Sequence, residues 1–320
     1  MKILLADSFP DTHAATLTKS GHQITSEPSL DADTMVGAIE DHDILIVRST
    51  KVTAATLDAA RNLKLVIRAG AGTNTIDKTH AAEKGISVCN VPGANSIAVA
   101  ELVMGLIISI DRNIHENVSD LRSDKWNKKK YSKSRGLYGQ KIGILGLGSI
   151  GLAVAERARA FGIESYSVAK SGRSREVENR IQASGIRQLD SIDDVLGLCD
   201  IISIHMPSTP QTQKMINAGF LSKMKDGAML INSSRGDLVD ETALLEAMNT
   251  RGIRAGLDVY DNEPSTGEGA FHSEIAKHPN TCGTHHIGAS TEQAQIAVAD
   301  GVLRVIESFE SDQLIFCVNS

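Results

Sequence analysis

At 320 residues and 34.2 kDa the chain is long enough for two domains of ordinary size. With 41% hydrophobic and 22% charged residues it has a globular composition, and a formal net charge of −6 argues against nucleic acid or an anionic membrane as a partner. The N-terminus, MKILLADSFPD, has an apolar run too short for a signal peptide, and the most apolar helical stretch, 97–110, is too short to span a bilayer and carries Glu101, so a cytoplasmic protein is expected.

Residues 2–95 alternate short β runs (3–6, 44–47, 65–68 and 86–90) with helical spacing over 31–41, 52–61 and 74–84. Such alternation predicts parallel strands with crossover helices. A long helix is predicted from Ser96 to about Asp120, with Asn95 and Ser96 as its cap signal. The lysine-rich stretch 123–138 reads as a solvated arm, because only Trp126 and Tyr131 interleave its charges. A second α/β series follows, with strands at 141–146, 163–168, 200–204, 228–233 and 253–258, and a last helix spans 292–309. Two such series predict an α/β fold of two doubly wound parallel sheets with a cleft between them. The four cysteines, Cys89, Cys199, Cys282 and Cys317, form no C-x-x-C pair. They read as reduced packing residues, and neither a disulfide framework nor a metal site is expected.

The stretch around which the chain is organised is KIGILGLGSIG, 141–151. An apolar strand runs into Gly146, Gly148 and Gly151, and an Ala/Arg-rich helix follows, which is the context a dinucleotide fingerprint requires. Gly146 permits the tight turn, Gly148 lets the backbone approach a pyrophosphate, and Gly151 allows close helix–strand packing. The helix N-terminus offers free N–H groups to phosphate. A nicotinamide dinucleotide is the expected cofactor.

Several ordered segments then carry a family resemblance. They are ILGLGSIG (144–151), CDIISIHMPSTPQT (199–212), LINSSRGDLVDETAL (230–244), GLDVYDNEP (256–264) and HHIGAST (285–291). Together they resemble the D-isomer-specific 2-hydroxyacid dehydrogenases over nearly the whole chain. Within that family, VRSTKVT (47–53), IRAGAGTNTID (67–77), ELVMGLIISIDRNI (101–114) and KWNKKKYSKSRGLYGQKIGILGLGSIG (125–151) are most similar to the phosphoglycerate dehydrogenase branch. The resemblance implies a Rossmann cofactor domain, 98–284, inserted in a flavodoxin-like substrate domain made of 1–97 and 285–320. It also implies a homodimer that packs through the long helix. The chain stops at Ser320, so the serine-sensing regulatory domain of the longer enzymes of this branch is not expected.

Reducing a 2-oxo acid needs a hydride, a proton donor to the carbonyl oxygen and a cation for the carboxylate. The resemblance assigns the cation to Arg235, whose planar fork suits a carboxylate. It assigns the proton donor and acceptor to His286, since imidazole titrates near neutrality. Glu263 is the matching acid, and an adjacent carboxylate would orient the ring and favour imidazolium. The neighbouring His285 is read as structural. Cofactor contacts are implied for Gly146, Gly148, Ser149, Ile150 and Gly151; for Ala169, Lys170 and Ser171; and for Met206, Pro207, Thr212, Ser233 and Ser234. Asp258, placed at the nicotinamide carboxamide, and Gly288 complete them. Substrate contacts are implied for Arg48, Ser49, Arg68, Ala69, Gly70 and Ala71. Two arginines at strand ends suit an anionic group beyond the carboxylate, and the resemblance places one of the lysines at 128–130 near a neighbouring subunit's substrate.

The sequence departs from the family at the ribose site. NAD enzymes usually end the second strand of this fold on Asp or Glu, and here Ala169 takes that place, followed by Lys170, Ser171, Gly172 and Arg173. Loss of a carboxylate beside added cations favours a 2′-phosphate, so NADP as well as NAD is open. For activity, D-3-phosphoglycerate oxidation leads. Hydroxypyruvate or glyoxylate reduction, sulfolactate oxidation and a dinucleotide-sensing binding protein are the alternatives.

Overall fold

The computed structural model describes residues 1–264 and 268–319. It divides into two compact units, Met1–Asn95 with Ala289–Ser320, and Ser96–Gly288.

The first unit carries β1 (Lys2–Leu5), β2 (Gln23–Ser26), β3 (Ile44–Val47), β4 (Leu65–Arg68) and β5 (Ser87–Asn90). All pair in parallel in the order β2-β1-β3-β4-β5, the flavodoxin-like arrangement. A parallel sheet is covered on both faces, which is why β3 reads Ile-Leu-Ile-Val with every residue buried. Leu4, Leu45, Val47, Val66 and Val88 form one core face, while Ile3, Leu5, Ile44, Ile46, Leu65 and Ile67 point the other way. The second face packs on Val302, Val305 and Ile306 of the helix Glu292–Glu310. Thr291 opens that helix by accepting from the Ala294 amide.

The second unit carries β6 (Lys141–Leu145), β7 (Glu164–Val168), β8 (Arg187–Leu189), β9 (Ile201–Ile204), β10 (Met229–Asn232), β11 (Arg254–Leu257) and β12 (Thr281–Gly283). The sheet order is β12-β11-β10-β9-β6-β7-β8, again parallel throughout. Numbered within the unit it is the doubly wound 3-2-1-4-5-6 order with one further strand. Its switch point lies between β6 and β9, and ligands in such sheets bind outside the carboxyl ends of the strands there. The helix Ser149–Ala160 follows β6 directly and packs Val154, Ala155 and Ala158 into the core.

Several features differ from the sequence expectation. The long helix after residue 95 is two helices, Ser96–Arg112 and Ile114–Arg122, because Asn113 adopts a left-handed conformation with φ of 48°. The expected Asn95 cap is not made, since its carboxamide oxygen is buried with no hydrogen-bond partner among the described residues. The helix expected over 31–41 shrinks to Met35–Ala38, because Asp31 Oδ1 accepts from the Asp33 and Thr34 amides and holds a turn. The strands β2, β8 and β12 escaped the periodicity reading, being three or four residues long and polar in part. The chain also leaves the second unit at Gly288, past the expected 284, so His286 belongs to the unit that carries β6–β12. Cys89 and Cys199 are buried, Cys282 and Cys317 half-buried, and all four are free thiols. Among the described residues no helix is long and apolar enough to cross a membrane.

Candidate active site

The glycine turn after β6 is set by close packing. Gly146 has φ of +106°, and a Cβ on it would lie 2.3 Å from the His205 carbonyl oxygen. A Cβ on Gly151 would come 2.1 Å from the Gly146 carbonyl oxygen. Gly148 is different: its Cβ would meet nothing within 4 Å, at the N-cap of the helix Ser149–Ala160. Two of the glycines are therefore demanded by the protein's own backbone. The third leaves open ground in front of the first-turn amides of Ser149, Ile150 and Gly151, which lack partners inside the helix. That geometry fits a dinucleotide pyrophosphate.

At the end of β7, Ala169, Lys170 and Ser171 are exposed. Glu164 sits at the strand's start and bonds Tyr166 and Arg187. Arg173 is already committed, donating to Gln188 Oε1 at 2.8 Å and to the Val168 carbonyl at 3.3 Å, with Glu178 3.5 Å away. Lys170 directly follows Ala169, the position where the family's acid would stand, and is exposed. Beyond β9, Thr212 Oγ1 donates to the Pro207 carbonyl at 2.8 Å and closes the loop that carries Met206.

His205 forms the floor of this turn. Its amide donates to Leu145 at 2.7 Å, its Nε2 lies 2.8 Å from Ser203 Oγ, and its Nδ1 is shielded with no partner among the described residues. Burial pushes its pKa down to about 4.

The turn after β10 carries Ser233, Ser234 and Arg235. Asn232, fully buried, accepts from the Ser234 amide at 3.0 Å and donates through Nδ2 to the Arg235 carbonyl at 2.8 Å. Ser234 Oγ donates to the Ile204 carbonyl at 2.7 Å, while Ser233 Oγ is buried with no partner among the described residues. Arg235 is half-buried, its Nη1 donating to the Ser234 carbonyl at 2.6 Å. Gly236 touches the Tyr260 main chain so closely that a Cβ would lie 2.0 Å from the carbonyl carbon.

That contact leads to the segment after β11. Asp258 is 1% exposed, yet both carboxylate oxygens are occupied. Oδ1 accepts from Thr284 Oγ1 at 2.6 Å and the Ile287 amide at 2.8 Å, and Oδ2 accepts from the Gly288 amide at 2.9 Å. Its main chain takes the His286 amide at 2.7 Å and gives its own amide to Asn232. The loop 284–288 is thereby wrapped on one buried carboxylate, with His286 held at φ of 52°. His286 Nδ1 lies 3.0 Å from Glu263 Oε2 and 3.1 Å from Oε1. A carboxylate only accepts, so Nδ1 carries the hydrogen and Nε2 is the nitrogen left for a ligand oxygen. His285 is exposed and lies outside this pair.

The structure thus joins Arg235, Glu263 and His286 through Asn232 and Asp258. The sequence reading missed Asn232 and Thr284; it gave Asp258 a cofactor contact, and the structure shows its carboxylate also accepting from the histidine loop. An Asn directly before the Ser-Ser-Arg turn was the available signal for Asn232.

In the first unit, Arg48 follows β3 and donates through Nη2 to Ser290 Oγ at 3.2 Å. Arg68 ends β4 and folds over Gly70, with Nη1 donating to the Ala69 carbonyl at 3.4 Å. Asn90 Nδ2 donates to the Ala71 carbonyl at 2.6 Å. Ser49 is spent differently: its amide and hydroxyl both donate to Asp7, which also takes the Arg48 and Thr50 amides. Lys130 pairs with Glu116 at 3.1 Å. Among the described residues no group of three or more His, Cys, Asp or Glu side chains is placed to hold a metal.

Comparison with known proteins agrees with this layout. The model of the D-isomer specific 2-hydroxyacid dehydrogenase NAD-binding domain matches residues 104–288. The D-3-phosphoglycerate dehydrogenase of Methanocaldococcus jannaschii is 36% identical over 322 residues, covering 98% of this chain and 59% of that protein. The hydroxypyruvate reductase of Thermotoga maritima is 40% identical over 283 residues, covering 87% of this chain and 88% of that protein. A solved acyclic imino acid reductase in complex with NADPH and D-Arg superposes with a TM-score of 0.85 at 26% identity, covering 99% of this chain and 100% of that one. The chain belongs to the D-isomer specific 2-hydroxyacid dehydrogenase family. It spans little more than half the length of the Methanocaldococcus relative.

Two outcomes follow from the geometry. Asp258→Asn places an NH2 against the Gly288 amide, so a loss of about 2–3 kcal/mol is expected, since a buried acceptor becomes an unmatched donor. Hydrogen exchange at Ile287 and Gly288 should then rise above that of β10; unchanged exchange there would remove Asp258 from its organising role. His205 binds a proton in the unfolded chain near pH ~6.5 but in the folded chain only near 4. Its contribution to stability is full above the higher value and lost as pH falls through that interval. A plot of Tm against pH should therefore be flatter for His205→Asn than for the parent across it.

Proposed function

We propose that the chain interconverts a D-2-hydroxy acid and its 2-oxo acid with NAD or NADP, and that D-3-phosphoglycerate and 3-phosphohydroxypyruvate are the substrate pair. The observation that carries the reading is the 3.0 Å pairing of His286 Nδ1 with Glu263, tied through Asp258 and Asn232 to the Arg235 turn. When bound, the nicotinamide supplies or takes the hydride. Nε2 of His286 gives a proton to the carbonyl oxygen during reduction and takes it back during oxidation. Glu263 fixes the ring with Nδ1–H inward and steadies the charged form. The Arg235 guanidinium holds the substrate carboxylate and polarises the neighbouring carbonyl.

In this reading the unit Ser96–Gly288 is the cofactor domain and the unit of Met1–Asn95 with Ala289–Ser320 recognises substrate. Arg48 and Arg68 give it two guanidiniums for an anionic group beyond the carboxylate. Ser49, with both donors on Asp7, contributes less than the resemblance implied. The protein acts as a homodimer in the cytoplasm. A second reading, a hydroxypyruvate or glyoxylate reductase, is favoured by the 40% identity to the Thermotoga enzyme and would leave the two arginines structural.

The test is steady-state kinetics on 3-phosphoglycerate, sulfolactate and glycerate with each oxidised cofactor, and on phosphohydroxypyruvate, hydroxypyruvate and glyoxylate with each reduced one. The phosphorylated pair should give the highest kcat/KM, and His286→Gln should lower its kcat by about 10²–10⁴-fold. A preference for hydroxypyruvate or glyoxylate moves the protein to the second reading. At the ribose site, Ala169→Asp should cut the ratio of kcat/KM with NADPH to that with NADH by about tenfold or more, because a carboxylate repels a 2′-phosphate. An unmoved ratio would mean that Ala169 and Lys170 do not read the ribose.

A further inference from the structure

Outside the candidate site, two of the four thiols face each other across a strand pair. The segment leading to the C-terminus runs antiparallel along β5, where Cys89 is bridged to Cys317. The flanking bonds are Val318 N–H to the Val88 carbonyl at 2.8 Å and Asn90 N–H to the Phe316 carbonyl at 3.3 Å. With bonds on either side and none between, Cys89 and Cys317 form a non-hydrogen-bonded antiparallel pair. In such pairs the Cα atoms lie about 4.5 Å apart and the side chains leave the same face. That separation falls inside the range a disulfide spans. The Cys317 thiol donates to Asn319 Oδ1 at 3.4 Å. Asn319 fastens the same segment, its Oδ1 accepting from the Val88 amide at 2.7 Å and its Nδ2 donating to the Ile86 carbonyl at 2.9 Å.

We propose that Cys89 and Cys317 are a dithiol site that forms a reversible cross-strand disulfide with a low-molecular-weight disulfide as oxidant, latching the C-terminal segment to the edge of the first sheet. Cys317 is half-buried while Cys89 is fully covered, so Cys317 reacts first. Its thiolate attacks one sulfur of the oxidant, and the other sulfur leaves as a thiolate. The Cys89 thiol then loses its proton to solvent and attacks the Cys317 sulfur of the mixed disulfide, expelling the second small thiol. One external disulfide becomes two thiols as two protein thiols become one disulfide. The second step is the slow one, because burial pushes the Cys89 thiol up to about 12. The latch closes beside Asn90, whose side chain holds the Ala71 carbonyl. Cys282 stands opposite Gly256 in strand register.

The experiment incubates the full native chain with oxidised glutathione, blocks residual thiols at acid pH, and maps peptides by mass spectrometry without reduction. The expected product is a peptide joining Cys89 to Cys317, two hydrogens lighter than the two reduced peptides together, and lost on adding dithiothreitol. Cys89→Ser should stop at a glutathione adduct on Cys317, and Cys317→Ser should leave Cys89 unmodified. A parent protein that retains the Cys317 adduct without resolving it, that stays fully reduced, or that links other cysteines overturns the proposal.

Discussion

One buried carboxylate holds the candidate site of this protein in place. Asp258 sits at the end of β11 with 1% of its surface exposed, and its oxygens are satisfied by Thr284, Ile287 and Gly288. A charge in that position is tolerable only because three donors meet it. Meeting it forces the chain after β12 to double back over the carboxyl end of the sheet. That reversal is what sets His286 in a left-handed conformation with Nδ1 on Glu263. The same aspartate gives its amide to Asn232, so the arginine turn and the histidine loop share one support.

The cofactor end of the unit rests on a different constraint, the close approach of backbones at the sheet's switch point. Gly146 lies against the His205 carbonyl, and Gly151 against the Gly146 carbonyl. A methyl at either position would collide with main chain, which cannot rotate away. Gly148 is free of such contacts, so internal packing does not require its lack of a side chain. His205 closes the same turn from below and stays neutral over most of the pH range because it is buried. The neighbouring β7 end has lost the usual acid, and Arg173, which looked available, is held by Val168, Gln188 and Glu178.

In the first unit the loop after β3 is shaped by Asp7, whose carboxylate collects three amides and the Ser49 hydroxyl. The amides of Arg48, Ser49 and Thr50 are thereby already answered. Arg48 is steadied by Ser290 and Arg68 lies over Gly70, so the two guanidiniums are braced by the fold.

Much of this was legible in the chain itself. Runs such as Ile-Leu-Ile-Val at β3 and the glycine spacing after β6 are local signals, because parallel strands buried on both faces must be apolar and a tight turn must lack side chains. The pairing of Glu263 with His286 followed from motif register. The tertiary structure alone decided the rest. It broke the long helix at Asn113, because a single left-handed residue leaves no trace in apolar periodicity. It made strands of polar tripeptides at sheet edges, where pairing supplies the stability that sequence preference does not. It tied Asp258 to the histidine loop, gave the Ser49 donors to Asp7, and set Cys89 opposite Cys317. Each of these depends on which backbone donors meet which side chains across long stretches of chain, and no local pattern of residues encodes that.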